Sequence, residues 1–246
     1  MPADTPVHRL PAHCKVAATG LFVLAAASAP REALWVYALD GAMLIALAAV
    51  ARVPPLTLLR RLTVEIPFLA FVVLLPFAAS GPRVAVLGLP VSRLGALAAL
   101  AIACKATIGL LATSVLAATT PLPDIVEGLE RLRVPRVFTA VAAFTVRYAE
   151  VLAGDFRRMR VARLCRGGDA RWLWQARDVA VTAAALLVRS YERGERVYLA
   201  MVSRGFTGLA PVGLPERPAG AAAWAAALVL PAAAGAATLA AWGWPA

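Results

Sequence analysis

Residues 94–118 read LGALAALAIACKATIGLLATSVLAA, 25 positions with one charged side chain, Lys105. A run this long and apolar crosses a bilayer core of about 30 Å with some tilt. Toward the N-terminus two further apolar runs follow the same logic. Ile66 to Ala79 precedes the turn signal Ser80-Gly81-Pro82, and Leu34 to Ala51 is closed by Arg52 and Pro54-Pro55. The first run, from Cys14 to Ala29-Pro30, is short for a span and needs Leu10 to Cys14 or local thinning to cross. It lacks a clean small-residue cleavage site and is expected to be retained. Residues 219–242 form the last candidate, Ala-rich, with Trp224 and Trp242 near its ends, where interfacial indoles sit well.

Composition agrees. The 246 residues are 61% hydrophobic and 16% charged, against about 45–50% and about 25% in soluble domains. A soluble chain of this size has no polar shell to spare for such a load. Three cysteines, Cys14, Cys104 and Cys165, are too few and too dispersed for a disulfide framework or a zinc site. The expected fold is all-α: a polytopic helical membrane protein of about five transmembrane helices, with a cytoplasmic block of amphipathic helices between the fourth and fifth. Its expected divisions are residues 1–120, 121–217 and 218–246.

The net charge of +11 is carried mainly by arginine, and residues 121–217 hold 16 of the 25 basic and 10 of the 14 acidic side chains. Placing that block inside satisfies the positive-inside rule. Arg9, Lys15, Arg52, Arg60 and Arg61 then share its side, while Arg31, Arg83 and Arg93 face outward. The N-terminus is expected inside and the C-terminus outside, in a bacterial or archaeal cytoplasmic membrane. Acidic residues interleaved through the block argue against a nucleic-acid or anionic-lipid binder built on it.

Within the block, Pro121-Leu-Pro-Asp124 opens a short helix, Ile125 to about Leu132, with Glu127 four residues before Arg131; Pro135 stops it. A second helix runs from about Val137 toward Leu164, with Phe144, Tyr148, Val151, Leu152, Phe156 and Met159 at three- and four-residue steps. Gly167-Gly168 ends it. A third, about Leu173 to Val202, repeats the pattern and carries the pair Glu192–Arg196; Gly205 closes it. Both long helices thus end alike, in Arg163-Leu-Cys165-Arg166-Gly167 and Met201-Val-Ser203-Arg204-Gly205. The helix dipole alone favours an arginine at a C-terminus. Two copies after two similar helices point to a cationic fork inserted into an acidic groove of a partner.

At five places the chain resembles the transmembrane T component of energy-coupling factor transporters, most closely the CbiQ type of cobalt and nickel importers. They are His8 to Lys15, Thr119 to Asp124, Leu129 to Pro135, Arg160 to Gly167, and Ser190 to Phe206, the longest and most specific. The resemblance implies a non-catalytic scaffold that transmits ATP-driven movement. Its implied partners are two ATPase subunits, a substrate-binding membrane subunit that holds the metal, and a small accessory membrane subunit. It places ATPase docking on Cys165-Arg166-Gly167 and Ser203-Arg204-Gly205. The family commonly has alanine before each arginine; cysteine and serine here keep the position small. Cobalt is the expected substrate, with nickel or a vitamin importer sharing the scaffold as alternatives. A self-contained secondary transporter is a further one, which the lack of an internal repeat disfavours.

No cofactor, nucleic acid or metal is expected on this chain. His8 and His13 lack a matching ligand cluster elsewhere, Cys104 reads as a small packing residue, and no P-loop, zinc-protease helix or nucleophile elbow is present. Paired intramembrane carboxylates at helical spacing are also missing. Lys105 stands alone near the middle of a span, where a basic residue is costly. Its expected partners are Glu65 or Asp40, and a structural ion pair or a contact to the substrate subunit are both open.

Overall fold

The computed structural model describes residues 5–78, 83–86, 89–167, 176–206 and 219–243. Its helices in chain order are α1 (Pro6–Arg9), α2 (Ala12–Ser28), α3 (Leu34–Val50), α4 (Pro55–Leu62), α5 (Ile66–Val72), α6 (Leu75–Ala78), α7 (Arg93–Thr119), α8 (Leu122–Arg131), α9 (Arg136–Cys165), α10 (Ala176–Val202) and α11 (Ala221–Gly243). A 3-10 turn, Thr63–Glu65, links α4 to α5, and a small antiparallel hairpin, β1 (Arg83–Val86) with β2 (Leu89–Ser92), precedes α7. The expected turn at Ser80-Gly81-Pro82 and the positions Gly168 and Leu173 to Gln175 lie outside the described residues.

The fold is that of a polytopic helical membrane protein. By length and apolarity α7, α9 and α11 could each cross a membrane. α2 and α3 are apolar but have 17 residues each, about 25 Å at helical rise. The expected third span differs. Its 66–79 stretch is not one helix but α5 and α6, separated by a turn and continuing the segmented run that begins at Pro55. Pro76 has no N–H to donate and crowds the preceding turn, which breaks the rod, whereas Pro67 sits in the first turn of α5, where proline is tolerated. In α9 the uncharged run ends at Val146, and Arg147, Glu150, Asp155, Arg157 and Arg158 follow.

The chain forms two compact units, residues Met1–Leu132 with Glu216–Ala246, and residues Arg133–Pro215. The first packs α2 against α11, α7 and α8, with α3 against α7 and α11. Its core joins Phe22, Val36, Tyr37, Leu44 and Ile108 to alanines such as Ala26, Ala112 and Ala234. Small residues let helix backbones approach where lipid offers no hydrophobic drive to associate. Among the described glycines, Gly128 in α8 stands nearest to the backbone of another helix. A Cβ there would sit 3.0 Å from the His13 backbone nitrogen and 3.2 Å from the Ala12 carbonyl carbon. At the start of α7, Ser92 caps the helix by accepting from the Gly95 N–H at 3.3 Å.

The C-terminus of α2 shows how a short helix ends within an apolar bundle. Its last four carbonyls have no backbone partner inside the helix, and the hydrocarbon region offers no water to take their place; the Ser28 hydroxyl donates to one of them, Ala25, at 2.8 Å. Thr238 donates to the Ala25 carbonyl at 3.2 Å, Lys105 to Ala27 at 2.6 Å and Trp242 to Ser28 at 3.1 Å. The Ala26 carbonyl accepts from the Ala29 N–H. Tyr37 then serves the next two carbonyls, Ala29 and Pro30, at 3.2 Å each. Side chains of α3, α7 and α11 thus terminate α2 from three sides.

Candidate functional site

The second unit is a helical pair. Asp155 of α9 accepts from Arg193 of α10 at 3.0 Å, and Arg163 donates to Thr182 at 3.4 Å. Phe144 and Tyr148 line a cavity with Val197 and Met201. Residue numbers therefore fall along α10 as they rise along α9, and the two helices run antiparallel. Of the apolar stripe read from the sequence, Phe144, Tyr148, Leu152 and Met159 line this seam, with the Phe144 and Tyr148 rings stacked at 6.3 Å, while Val151 and Phe156 are exposed. The pair Glu192–Arg196 forms, loosely, at 3.9 Å, and Glu127–Arg131 forms at 3.0 Å in α8.

Each helix of the pair ends in the same local structure. Gly205 has φ +81° and donates its N–H to Val202, while Phe206 donates to Met201. These are the two bonds of a Schellman ending, with glycine in the left-handed position that a Cβ disfavours. Arg204 is then the capping residue and Ser203 the last helical one. At the end of α9, Gly167 has φ +78° and donates to Leu164, placing Arg166 and Cys165 in the equivalent positions. The six residues singled out from the sequence, Cys165, Arg166, Gly167, Ser203, Arg204 and Gly205, therefore make two copies of one exposed tip. The Ser203 hydroxyl donates to the Ala200 carbonyl at 3.0 Å.

Antiparallel pairing decides where the tips lie. Arg166 lines an open groove of about 590 Å3 together with Val181 and Thr182 at the beginning of α10. From Thr182 to Arg204 the helix advances 22 residues, about 33 Å at 1.5 Å per residue. The two arginines thus stand at opposite ends of the pair. Charge in the groove is mainly positive, from Arg158, Arg163, Arg166 and Arg189 against Asp155. Arg158's hydrogen bond, with the charge of Arg193 added, holds the Asp155 carboxyl below the usual carboxylate range. The spacing of Asp155 and Arg158 is legible as a helical pair, but nothing in the sequence marks Arg193 as the partner across the seam.

Lys105 is placed elsewhere, in the first unit. The ion pair expected with Glu65 or Asp40 does not form. Its ammonium donates to the Ala27 carbonyl and lies 6.0 Å from the centre of the Tyr37 ring. The reason is depth: α2 ends beside the middle of α7, and its orphan carbonyls are nearer than either carboxylate. Glu65 instead accepts from Thr107 at 3.0 Å, and Asp40 is fully buried with neither oxygen hydrogen-bonded among the described residues. His8 bonds Thr5 at 2.6 Å and His13 packs on Trp224. Among the described residues no three His, Cys, Asp or Glu side chains gather as a metal group.

The described residues thus make up a bundle of apolar helices and an antiparallel helical pair with an arginine at each end. The chain belongs to the CbiQ family, described as cobalt transport protein, whose sequence profile matches residues 3–213. It is 33% identical over 166 residues to the cobalt transport protein CbiQ of Rhodobacter capsulatus, covering 63% of this chain and 66% of that one. It is 30% identical over 98 residues to a putative fused cobalt transport protein CbiMQ of Methanocorpusculum labreanum, covering 40% of this chain and 16% of that one. The chain thus spans less than two thirds of the length of either relative.

Proposed function

We propose that this chain is the coupling subunit of an ATP-driven importer of the energy-coupling factor type, with cobalt as the cargo. It is read as non-catalytic, with hydrolysis on two partner ATPases and the metal held by a separate membrane subunit. Residues 121–217 form the cytoplasmic coupling domain in this reading, between the membrane helices of 1–120 and that of 218–246. The N-terminus lies on the same side. A small accessory membrane subunit completes the complex, and surrounding lipid is the remaining partner.

One observation carries the reading: two Arg-Gly tips of the same local structure at opposite ends of one antiparallel pair. Identical plugs pointing away from each other suit two equivalent sockets, as two copies of an ATPase would present. Each guanidinium offers a planar fork of donors to a carboxylate-lined groove. When the sockets close, the tips are driven relative to each other. The pair carries that displacement as a shear of packed helices toward the membrane subunit that holds the metal. The fused relative supports a membrane partner, since its name joins CbiM to CbiQ in one chain.

The test is a pull-down of the tagged chain from its native membranes in mild detergent, wild type beside an Arg166→Glu, Arg204→Glu double variant. Paired ATPases and a further membrane subunit should accompany the wild type. The ATPases should be lost from the variant, because each docked arginine contributes about 2–5 kcal/mol. ATPases that stay bound to the double variant would defeat the docking assignment.

A further inference from the structure

Asp155 and Arg193 form the one ion pair between α9 and α10 among the described residues, at 3.0 Å. The Asp155 side chain is 16% exposed, and its second oxygen accepts from Arg158 of the same helix. Both carboxylate oxygens are therefore engaged, one along α9 and one across the seam. Arg166 lies 11 residues beyond Asp155, and Arg204 lies 11 residues beyond Arg193. Each tip is thus about 16 Å from the bridge along its own helix, and the antiparallel sense sends the two arms in opposite directions.

The arms also agree in sequence when Asp155 is set against Arg193. Arg158 then matches Arg196, Ala162 matches Ala200, and Cys165-Arg166-Gly167 matches Ser203-Arg204-Gly205. The bridge is the centre of an approximate two-fold arrangement that ends in the two tips. Close packing does not hold this register on either side of it. Toward Arg204 the seam opens into a cavity of about 290 Å3 between Phe144, Tyr148, Val197 and Met201. Toward Arg166 it opens into the groove of about 590 Å3. Side chains facing open space forfeit the contacts that interlock a packed seam, so the apolar faces alone would tolerate a slide. A slide of one turn would part Asp155 from Arg193.

Fixing register is the best-attested use of a polar pair in an otherwise apolar helix seam. We propose that Asp155 is a positioning residue for docking: its bridge to Arg193 sets the register of α9 on α10, and thereby the separation of the two arginine tips. Asp155 acts through where it holds Arg166 and Arg204, not by a contact of its own with a partner. A slide of one helical turn changes the separation of the tips by about 5 Å, which two sockets set for one span could not both follow. The consequence for docking rests on the coupling reading above, whereas the register role rests on the seam alone.

The test reads the tip separation directly. In the full-length chain, spin labels are placed on Cys165 and on Ser203→Cys, with Cys14→Ala and Cys104→Ala removing the other thiols. Double electron–electron resonance in detergent should give one narrow distance. Asp155→Asn and Arg193→Gln should each broaden it or shift it by about 5 Å. The double variant should go no further than either single one, because the same contact is lost in all three. Asp155→Glu should restore the narrow distance, and Glu192→Gln, which removes an exposed charge beside Arg193, should leave it unchanged. An unchanged distance in Asp155→Asn would overturn the register role. In the unlabelled chain, Asp155→Asn should copurify one ATPase where wild type copurifies two, although both arginines are intact. Two ATPases retained despite a shifted distance would overturn the link from separation to docking. ATPases absent from wild type would instead defeat the coupling reading, and the distance would still decide the register.

Discussion

Lys15 of α2 donates to the carbonyl of Thr119, the last residue of α7, and Lys105 of α7 donates to the carbonyl of Ala27 at the end of α2. The two helices are antiparallel, and each supplies the cation that closes the other. These are the only lysines in a chain otherwise supplied with arginine. The choice is physical. A compact ammonium with three rotatable donors meets a lone carbonyl at a helix end, whereas a guanidinium fork is shaped for a carboxylate or phosphate.

Replacing either lysine by methionine keeps the volume and leaves orphan carbonyls behind. Lys15→Met should lower stability more than Lys105→Met, since Lys15 is buried and serves two acceptors. Interhelix hydrogen bonds in membranes are worth about 0.6 kcal/mol and at most about 1.7. Removing the cation also relieves a burial cost, so the net loss for Lys105→Met should fall within that range. Thermal unfolding in detergent measures both. A Lys105→Met protein with unchanged melting and lost transport would assign the lysine to another subunit instead.

Gly167 and Gly205 hold the arginine tips by adopting φ near +80°. Alanine at either position costs about 1–2 kcal/mol for the left-handed conformation and should fray the last turn. ATPase copurification should then fall although both guanidinium groups remain. The opposite change is available at Arg133, whose φ of +61° follows the end of α8. Arg133→Gly should raise the melting temperature, corresponding to about 1 kcal/mol. Hydrogen exchange of the last turns of α9 and α10 would reveal the fraying directly; unaltered protection in both glycine variants would contradict it.

Gly128→Ala sets two effects against each other. Alanine gains about 1 kcal/mol of helix propensity over glycine. Its Cβ, however, would meet the backbone of Ala12 and His13 at 3.0–3.2 Å, and overpacking against something that cannot rotate away costs about 1–3 kcal/mol. The second effect should win, with α8 forced away from α2 and the melting temperature lowered. A more stable Gly128→Ala protein would show that the start of α2 gives way.

Helix ends were the most legible part of the sequence. Glu127 and Arg131 meet as their spacing requires, Gly205 closes α10, and the two tips share a conformation because the same three-residue logic is written twice. Other features lay beyond sequence reading. Lys105 was matched to a carboxylate because an intramembrane charge suggests a counter-charge, yet the short reach of α2 placed a row of carbonyls closer. Pro76 carried the warning that Ile66 to Ala79 would not be one rod, a signal that average hydropathy conceals. Arg52 and Arg133 occupy positions where the sequence rule asks for glycine, so only the backbone reveals them. The bridge from Asp155 to Arg193 depends on the register of two helices, which no local spacing in the sequence sets.

The antiparallel seam also turns residue count into a gauge. With Arg166 beside Thr182, the distance to Arg204 is set by how many residues of α10 lie between, each worth about 1.5 Å. Seven residues inserted there would add about two turns, keeping the tip's heading nearly unchanged while lengthening the span by about 10 Å. If the tips dock in two ATPases as proposed, a pair cut to the original length would then be able to seat one plug but not both at once. On the proposed reading, compatibility between a coupling chain and its motors becomes a matter of calibration, altered by insertions and deletions that leave every contacting side chain intact.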